Sequence, residues 1–333
     1  MDVLITGGAG YIGSTIATAL EGAGHTPVLL DSLYKGRREF TAGRAFYQGD
    51  IADRALLARI IGDHPGIAAT IHCAARISVP ESVGDPYSYY RENVAKSLEL
   101  FDALVDLGRP RVVFSSSGSV YATSPRFEVV EGDPTEPTSP YSRTKIMMET
   151  VLTDLAAATD LRALLLRYFN PIGADPAFRS GPYDPNPGQV LGRLVAAVRG
   201  DIPSFGITGS DYPTRDGTGI RDYVHVWDVA LAHVAAVERF DQALEGATST
   251  VVNVGNGDGV SVREMVAAFE RVYGKPVPVE ELPPRPGDAP GWYANVDKAA
   301  RVLGWRAASS LDEGIASALT WAERRGSVLP DLA

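Results

Sequence analysis

Tyr141 and Lys145 stand four residues apart in Pro140-Tyr141-Ser142-Arg143-Thr144-Lys145, and Ser115-Ser116-Ser117 lie upstream of them. One helical turn separates the phenol from the ammonium. A free tyrosine ionises near pH 10, so service as a base near neutrality asks for a drop of roughly three units, about 4 kcal/mol. One cation at about 4 Å, at an effective dielectric of about 20, supplies that much. Y-x-x-x-K spacings also occur on solvated helix faces. Here Pro140 opens a helix at the pair and the serines end a strand, at the carboxyl edge where α/β sheets bind ligands. Ser117 then shares or relays the substrate proton with Tyr141. The other reading of the serines is a polar strand end.

Removing a proton from a carbinol is useful only if something accepts the hydride. Ile5-Thr6-Gly7-Gly8-Ala9-Gly10-Tyr11-Ile12-Gly13 lies between a short apolar strand and a helical pattern. Small residues there let the backbone approach a pyrophosphate, whose charge meets the free N–H groups at the helix start. Asp31 closes the second strand, where a carboxylate accepts from both ribose hydroxyls and repels a 2′-phosphate. NAD is expected rather than NADP. A surface aspartate capping a turn is the alternative, and Lys35, Arg37 and Arg38 nearby keep it open.

Elements that position these groups alternate through the first half. Apolar strands are predicted at 3–5, 28–30, 45–47, 69–73, 111–114 and 162–166, and helices at 11–20, 54–61, 92–105 and 142–157. Strands apolar throughout and separated by helices form a parallel sheet covered on both faces. After Asn170 the pattern changes: Pro171, Pro176, Pro182, Pro185 and Pro187 mark a long loop. Helices follow at 190–198, 226–237, 262–273 and 311–324, with a strand at 251–254 and a second proline-rich loop from Pro278 to Pro290. The fold class expected is α/β: a Rossmann-type, doubly wound parallel sheet with a smaller C-terminal substrate-binding α/β lobe. Residues 1–169 form the NAD-binding domain and 170–333 the other, with segments near 222–255 returning to the first.

The 333 residues, 45% apolar and 22% charged, exceed one ordinary domain and describe a globular protein. A net charge of -10 with no basic cluster argues against nucleic acid. An anionic small substrate then needs local cations. Cys73 is the only cysteine, so neither an internal disulfide nor a multi-cysteine zinc site is expected; its apolar setting reads as a buried strand end. No metal is predicted. The first strand starts at Asp2 and no apolar run approaches about 18 residues, so a cytoplasmic protein without membrane contact is expected.

These motifs resemble the extended short-chain dehydrogenase/reductase family, in its branch of nucleotide-sugar 4-epimerases. Further stretches carry the resemblance across almost the whole chain: Arg167-Tyr168-Phe169-Asn170-Pro171, Asp211-Tyr212-Pro213-Thr214, Asp216-Gly217-Thr218-Gly219, Arg221-Asp222-Tyr223, Arg285 with Gly287-Asp288, and Leu303-Gly304-Trp305. The resemblance implies an NAD-dependent isomerase acting at carbon 4 of a UDP-hexose, glucose to galactose and back, through a transient 4-keto sugar. It implies that Gly7, Gly10, Tyr11, Ile12, Gly13, Asp31, Asp50, Ile51, Ala74, Asn93, Ser115, Tyr141, Lys145 and Tyr168 hold NAD. By the same resemblance Ser117, Tyr141, Asn170, Gln189, Val190, Arg221, Arg285, Asp288 and Trp292 contact the nucleotide sugar, the two arginines neutralising its diphosphate.

The resemblance has departures. Dehydratases of this fold place an Asp-Glu pair after the residue equivalent to Ser117; here Gly118 and Ser119 follow, which disfavours dehydration. Thr208 stands where most of these epimerases have an aromatic residue against uracil, Gln189 where an asparagine is usual, and Arg76-Ile77 where Leu-Lys is common. A base other than uracil stays open on these positions. Trp292 falls at the position that gates the sugar pocket and is large enough to exclude an N-acetyl group at carbon 2. An alternative is a true nucleotide-sugar dehydrogenase or 4-ketoreductase, which shares every cofactor residue; a third is a sensor without chemistry. Helices 92–105 and 142–157 match the pair that forms a homodimer interface in the family.

Overall fold

The computed structural model describes residues 1–284 and 290–332. Seven strands make the main sheet, in the order Ser249–Val254, Arg162–Tyr168, Arg111–Ser117, Ile67–His72, Asp2–Thr6, Thr26–Asp31, Ala45–Gln48. Every pairing in it is parallel. Val3, Leu4 and Ile5 are all fully buried because successive side chains of a strand point to opposite faces and helices cover both. Val3 and Ile5 join Ile16, Leu20, Val229 and Val252 in one core. Leu4 joins Val28, Leu57, Leu100 and Leu152 in the other.

The strand order reverses between Asp2–Thr6 and Ile67–His72, and a crevice opens there beyond the carboxyl ends of the strands. Cys73 and Ala74 leave the fourth strand at that crevice, opposite the glycine turn that leaves the first.

One helix departs from expectation. Residues 92–105 do not form a plain α-helix; a π-helical turn, Arg91–Ala95, precedes the α-helix Lys96–Asp106. Within that turn the Asn93 side chain is held by the Arg76 backbone and by Thr144. A π-helical turn of this kind is often found at functional sites. The strand predicted at 111–114 runs on through the serines to Ser117. The helix Pro140–Ala158 starts with proline in its first turn and with the Ser139 hydroxyl accepting from the Ser142 N–H, the arrangement that stabilises a helix start.

A second, smaller core gathers the helices Val190–Arg199, Val262–Tyr273 and Leu311–Val328 around Phe205 and Ile207. Asp222 binds this part to the sheet. Fully buried, it accepts from the N–H groups of Asn256, Gly257 and Ala294 at 2.7, 3.2 and 3.0 Å. Burial pushes its carboxyl up to about 6, against those three hydrogen bonds, which favour the charged form. Among the described residues no helix is long and apolar enough to cross a membrane.

Candidate active site

The glycine turn has the shape a dinucleotide requires. Gly7 has φ +72°, and a Cβ there would lie 2.7 Å from the Ala74 nitrogen across the crevice. A Cβ on Gly13 would meet the Gly7 carbonyl oxygen at 2.3 Å, so the third glycine permits the helix to pack against the turn. The helix Tyr11–Gly22 has Gly10 as its N-cap, with no side-chain cap and no acidic residue in its first turn. Its opening N–H groups therefore remain for an anion. The cradle fits NAD.

Asp31 is buried at the end of its strand. Oδ2 accepts from the Ala9 N–H at 3.0 Å and Oδ1 from the Leu33 N–H at 2.7 Å. Burial raises its pKa and these two bonds oppose the rise. The carboxylate thus organises the turn, and each oxygen keeps further lone pairs for a ligand hydroxyl. Asp50 accepts from Lys96 Nζ at 2.5 Å and from the Ala52 N–H; burial raises its carboxyl, but the ammonium and these hydrogen bonds win and its pKa falls. Ile51 beside it is buried, and Ile12 packs against the sheet. The Tyr11 hydroxyl is committed to the Gly173 carbonyl at 2.5 Å, so its phenol ties the turn to the chain beyond Asn170.

Ser117 and Tyr168 are register partners at the carboxyl ends of adjacent strands. Tyr141 is buried at the start of its helix, with Ser117 in hydrogen-bonding range of the phenol. Ser117 in turn donates to Ser119 Oγ at 3.0 Å, and Ser142 donates to the same Ser119 oxygen. Lys145 Nζ lies 5.9 Å from the Tyr141 ring centre and donates to the Ser115 carbonyl at 2.7 Å.

The electrostatics correct the sequence arithmetic. Burial pushes the Tyr141 phenol up to about 12, with only the Ser117 hydrogen bond opposing it, and lowers the Lys145 ammonium to about 8 against the pull of Cys73 and Glu149. Four-residue spacing leaves the ammonium 5.9 Å from the ring centre, and within the polypeptide burial sets the direction of both shifts.

Several neighbours escape a reading by motif. Glu149, one turn beyond Lys145, forms a two-pronged ion pair with Arg167, Nη2 to Oε2 at 2.6 Å and Nε to Oε1 at 2.9 Å. Both side chains are only 5% exposed, Ser116 also donates to Glu149, and the Arg167 guanidinium lies 4.7 Å over the Tyr121 ring. The four-residue spacing that pairs Tyr141 with Lys145, carried one step further, points to Glu149. Behind Tyr168, His233 holds Ser115. Its Nδ1 donates to the Val229 carbonyl, so Nε2 accepts from the Ser115 hydroxyl at 3.1 Å, and that hydroxyl meets Cys73 Sγ at 3.1 Å. Burial lowers His233 to about 4 and raises the Cys73 thiol to about 11, so both stay neutral near pH 7. A lone helical histidine gives no sequence signal for this role.

Next to the crevice lies a cavity of about 200 Å³, lined among others by Asn170, Gln189, Val190, Thr208, Arg221 and Tyr223. Asn170 is held there by the Asp222 carbonyl at 3.2 Å. Arg221 donates to its neighbour's carbonyl, Ile220, at 2.7 Å, and Trp292 is its partner across parallel strands. Arg285 and Asp288, expected at the nucleotide, lie outside the described residues.

A glycine turn at the point of strand reversal, with a serine, a tyrosine and a lysine beside it, defines an enzyme that uses a dinucleotide to oxidise or reduce at a hydroxyl-bearing carbon. The comparisons sharpen this class. Residues 3–255 match the model of the NAD dependent epimerase/dehydratase family, and the chain belongs to that family. A UDP-glucose 4-epimerase of Azospirillum brasilense is 44% identical over 96% of this chain and 91% of its own length. One from Bacillus subtilis is 40% identical over 96% of each chain. Among solved structures, UDP-glucose-4-epimerase from Stenotrophomonas maltophila, with bound NAD and formylated UDP-arabinopyranose, superposes with a TM-score of 0.91 at 39% identity, covering 98% of this chain and 99% of that one. The Bifidobacterium longum enzyme in complex with NAD+ and UDP gives a TM-score of 0.90 at 32% identity, covering 98% and 100%.

Proposed function

We propose that this chain is an NAD-dependent epimerase that interconverts UDP-glucose and UDP-galactose at carbon 4. The observation that carries the reading is the set of Ser117, Tyr141 and Lys145 at the crevice beside an uncapped, glycine-opened helix. Full-length likeness to several UDP-glucose 4-epimerases supports the choice of substrate.

The hydrogen on carbon 4 of a hexose is not acidic, so a base alone cannot invert the centre. Oxidation to a ketone removes the stereocentre, and reduction on the other face restores it inverted. NAD, when bound, supplies the two-electron acceptor and a positive charge beside the phenol. Gly7, Gly10, Tyr11, Ile12, Gly13 and Ala74 would cradle its pyrophosphate, Asp31 its ribose hydroxyls, and Asp50, Ile51 and Asn93 the far end. Tyr141 takes the 4-hydroxyl proton and later returns it, while Ser117, oriented by Ser119, holds that hydroxyl. Lys145, anchored on the Ser115 carbonyl, orients the nicotinamide end with Tyr168. Asn170, Gln189, Val190 and Arg221 hold the nucleotide, with Arg221 on the diphosphate. The sheet is then the NAD-binding part and the smaller core the nucleotide-sugar part.

Incubating the purified protein with UDP-galactose and no added NAD tests the reading. UDP-glucose should form with no reduced nicotinamide left behind. Accumulation of reduced nicotinamide with a stable keto product would instead identify a dehydrogenase.

Trp292 packs beside Tyr121 and Phe169. If Trp292 gates the sugar pocket as the resemblance implies, UDP-N-acetylgalactosamine should turn over with kcat/KM at least about tenfold below that of UDP-galactose, a pocket-size penalty of ordinary magnitude. Equal rates for the two would remove Trp292 as the gate.

A homodimer completes the proposal. Leu98 and Met147, on the helices Lys96–Asp106 and Pro140–Ala158, are 43% and 42% exposed, as expected of faces that meet a second copy. Light scattering at micromolar concentration should report two chains; a single-chain mass would refute the interface. A cytoplasmic setting belongs to the same reading.

A further inference from the structure

Resting on the dinucleotide reading of the crevice, we propose that Arg76 and Glu81, meeting Tyr34 and Lys35 across the glycine turn, form a clasp over the bound cofactor and set how slowly it leaves. The strand Asp2–Thr6 lies between Thr26–Asp31 and Ile67–His72 and pairs with both. Neighbouring strands are about 4.8 Å apart, so the segments that leave the two outer strands start about 10 Å from each other. The glycine turn leaves the strand between them. Contacts between those segments therefore bridge the strand that carries the turn.

The segments meet at three points. The Arg76 guanidinium lies 4.5 Å over the Tyr34 ring. Lys35 Nζ donates to Glu81 Oε2 at 2.9 Å, and Arg76 Nη1 stands 3.5 Å from the other Glu81 oxygen. One carboxylate thus holds a cation from each side.

The two halves are anchored differently. Arg76 is fixed at its backbone, its N–H donating to Asn93 Oδ1 at 2.8 Å and its carbonyl accepting from Asn93 Nδ2 at 2.9 Å. Its side chain is 20% exposed. Across the turn, Tyr34 is 61% exposed and the Lys35 side chain 54%. The chain reaches them through Leu33 at φ +62°, a left-handed conformation that is costly for leucine, held by its N–H on Asp31 Oδ1. It returns where the Arg37 N–H donates to the Ala9 carbonyl at 2.8 Å. Tyr34 and Lys35 are thus presented beside the ribose carboxylate and the glycine turn, with side chains that reach for the far segment.

The clasp gives a use to a departure in the sequence. A leucine, common in the family at position 76, offers neither a cation to the Tyr34 ring nor a charge to Glu81. A dinucleotide that leaves through the open edge of the sheet requires the two segments to part, so contacts between them slow its release.

Release of NADH from the loaded protein tests the inference without turnover, by following NADH fluorescence after a chase with excess NAD. Arg76→Leu and Glu81→Gln should each speed release about three- to tenfold, the range that two exposed charge contacts allow. Lys35→Ala and Tyr34→Ala, which each remove one contact, should speed it less. The double variant Arg76→Leu/Glu81→Gln should fall short of the product of the single effects, because the two side chains share a contact. Release at the wild-type rate in Arg76→Leu and Glu81→Gln overturns the clasp. Faster release in Arg76→Leu alone, with Glu81→Gln, Lys35→Ala and Tyr34→Ala like the wild type, would put the guanidinium on the cofactor itself and overturns it too. Should Arg76→Leu not fold, the exposed variants Lys35→Ala and Tyr34→Ala decide: faster release upholds the clasp, and the wild-type rate in both overturns it. A wild type that takes up no NADH removes the dinucleotide reading and the clasp with it, whereas uptake followed by unchanged release overturns the clasp alone.

Discussion

Tyr141→Phe should lower kcat for UDP-galactose by about 10²–10⁴-fold while leaving KM within a few-fold, because positioned proton transfer contributes that much and the nucleotide is held elsewhere. The substitution removes one oxygen and keeps the ring that fills the start of the helix Pro140–Ala158. Unfolding temperature should hardly move. Ser117 retains Ser119 as a partner, so its own hydroxyl is not stranded. Steady-state kinetics on both sugars checks this, and a variant that keeps more than about a tenth of the activity would show that another group moves the proton. Burial raises the Tyr141 pKa to about 12, so the phenol carries its proton at neutral pH until positive charge arrives beside it. Catalysis therefore depends on what Lys145 and the bound cofactor offset, and not on the tyrosine alone.

Glu149→Ala should cost about 3–5 kcal/mol of unfolding free energy, since it leaves the Arg167 guanidinium buried without its counter-charge. Urea denaturation with the slope held constant measures it. Arg167→Ala should cost a similar amount, and the two losses should not add, because the second removes a charge already unpaired. Additive losses would mean that the pair does not act as a unit. A milder change, Glu149→Gln, carries a separate signature. Glu149 holds the Lys145 ammonium up against burial, which lowers it to about 8. Loss of that carboxylate should move Lys145 deprotonation further down, so the alkaline fall in activity should begin at lower pH.

The residues proposed to do the chemistry were readable because their spacing is set by local geometry. Tyr141 and Lys145 share a face by helix periodicity, and Gly7, Gly10 and Gly13 announce a strand-to-helix turn through the absence of side chains. The parallel sheet was readable for the same reason: strands buried on both faces must be apolar throughout, and 3–5, 28–30 and 162–166 are. Contacts between residues distant in sequence left no such mark. The pairing of Glu149 with Arg167, the hold of His233 on Ser115, and the contacts of Asn93 within the π-helical turn each depend on where separate segments meet.

By itself, then, the sequence determined the class of fold, the dinucleotide turn and the phenol–ammonium pair, because periodicity and side-chain size act within a few residues. Only the tertiary structure decided the electrostatic balance. Desolvation depends on everything packed around a group, and so Tyr141 rises and Lys145 falls where spacing alone predicted a lowered phenol. It likewise decided which residues line the cavity, among them Gln189 and Tyr223, from segments that are not neighbours in the chain.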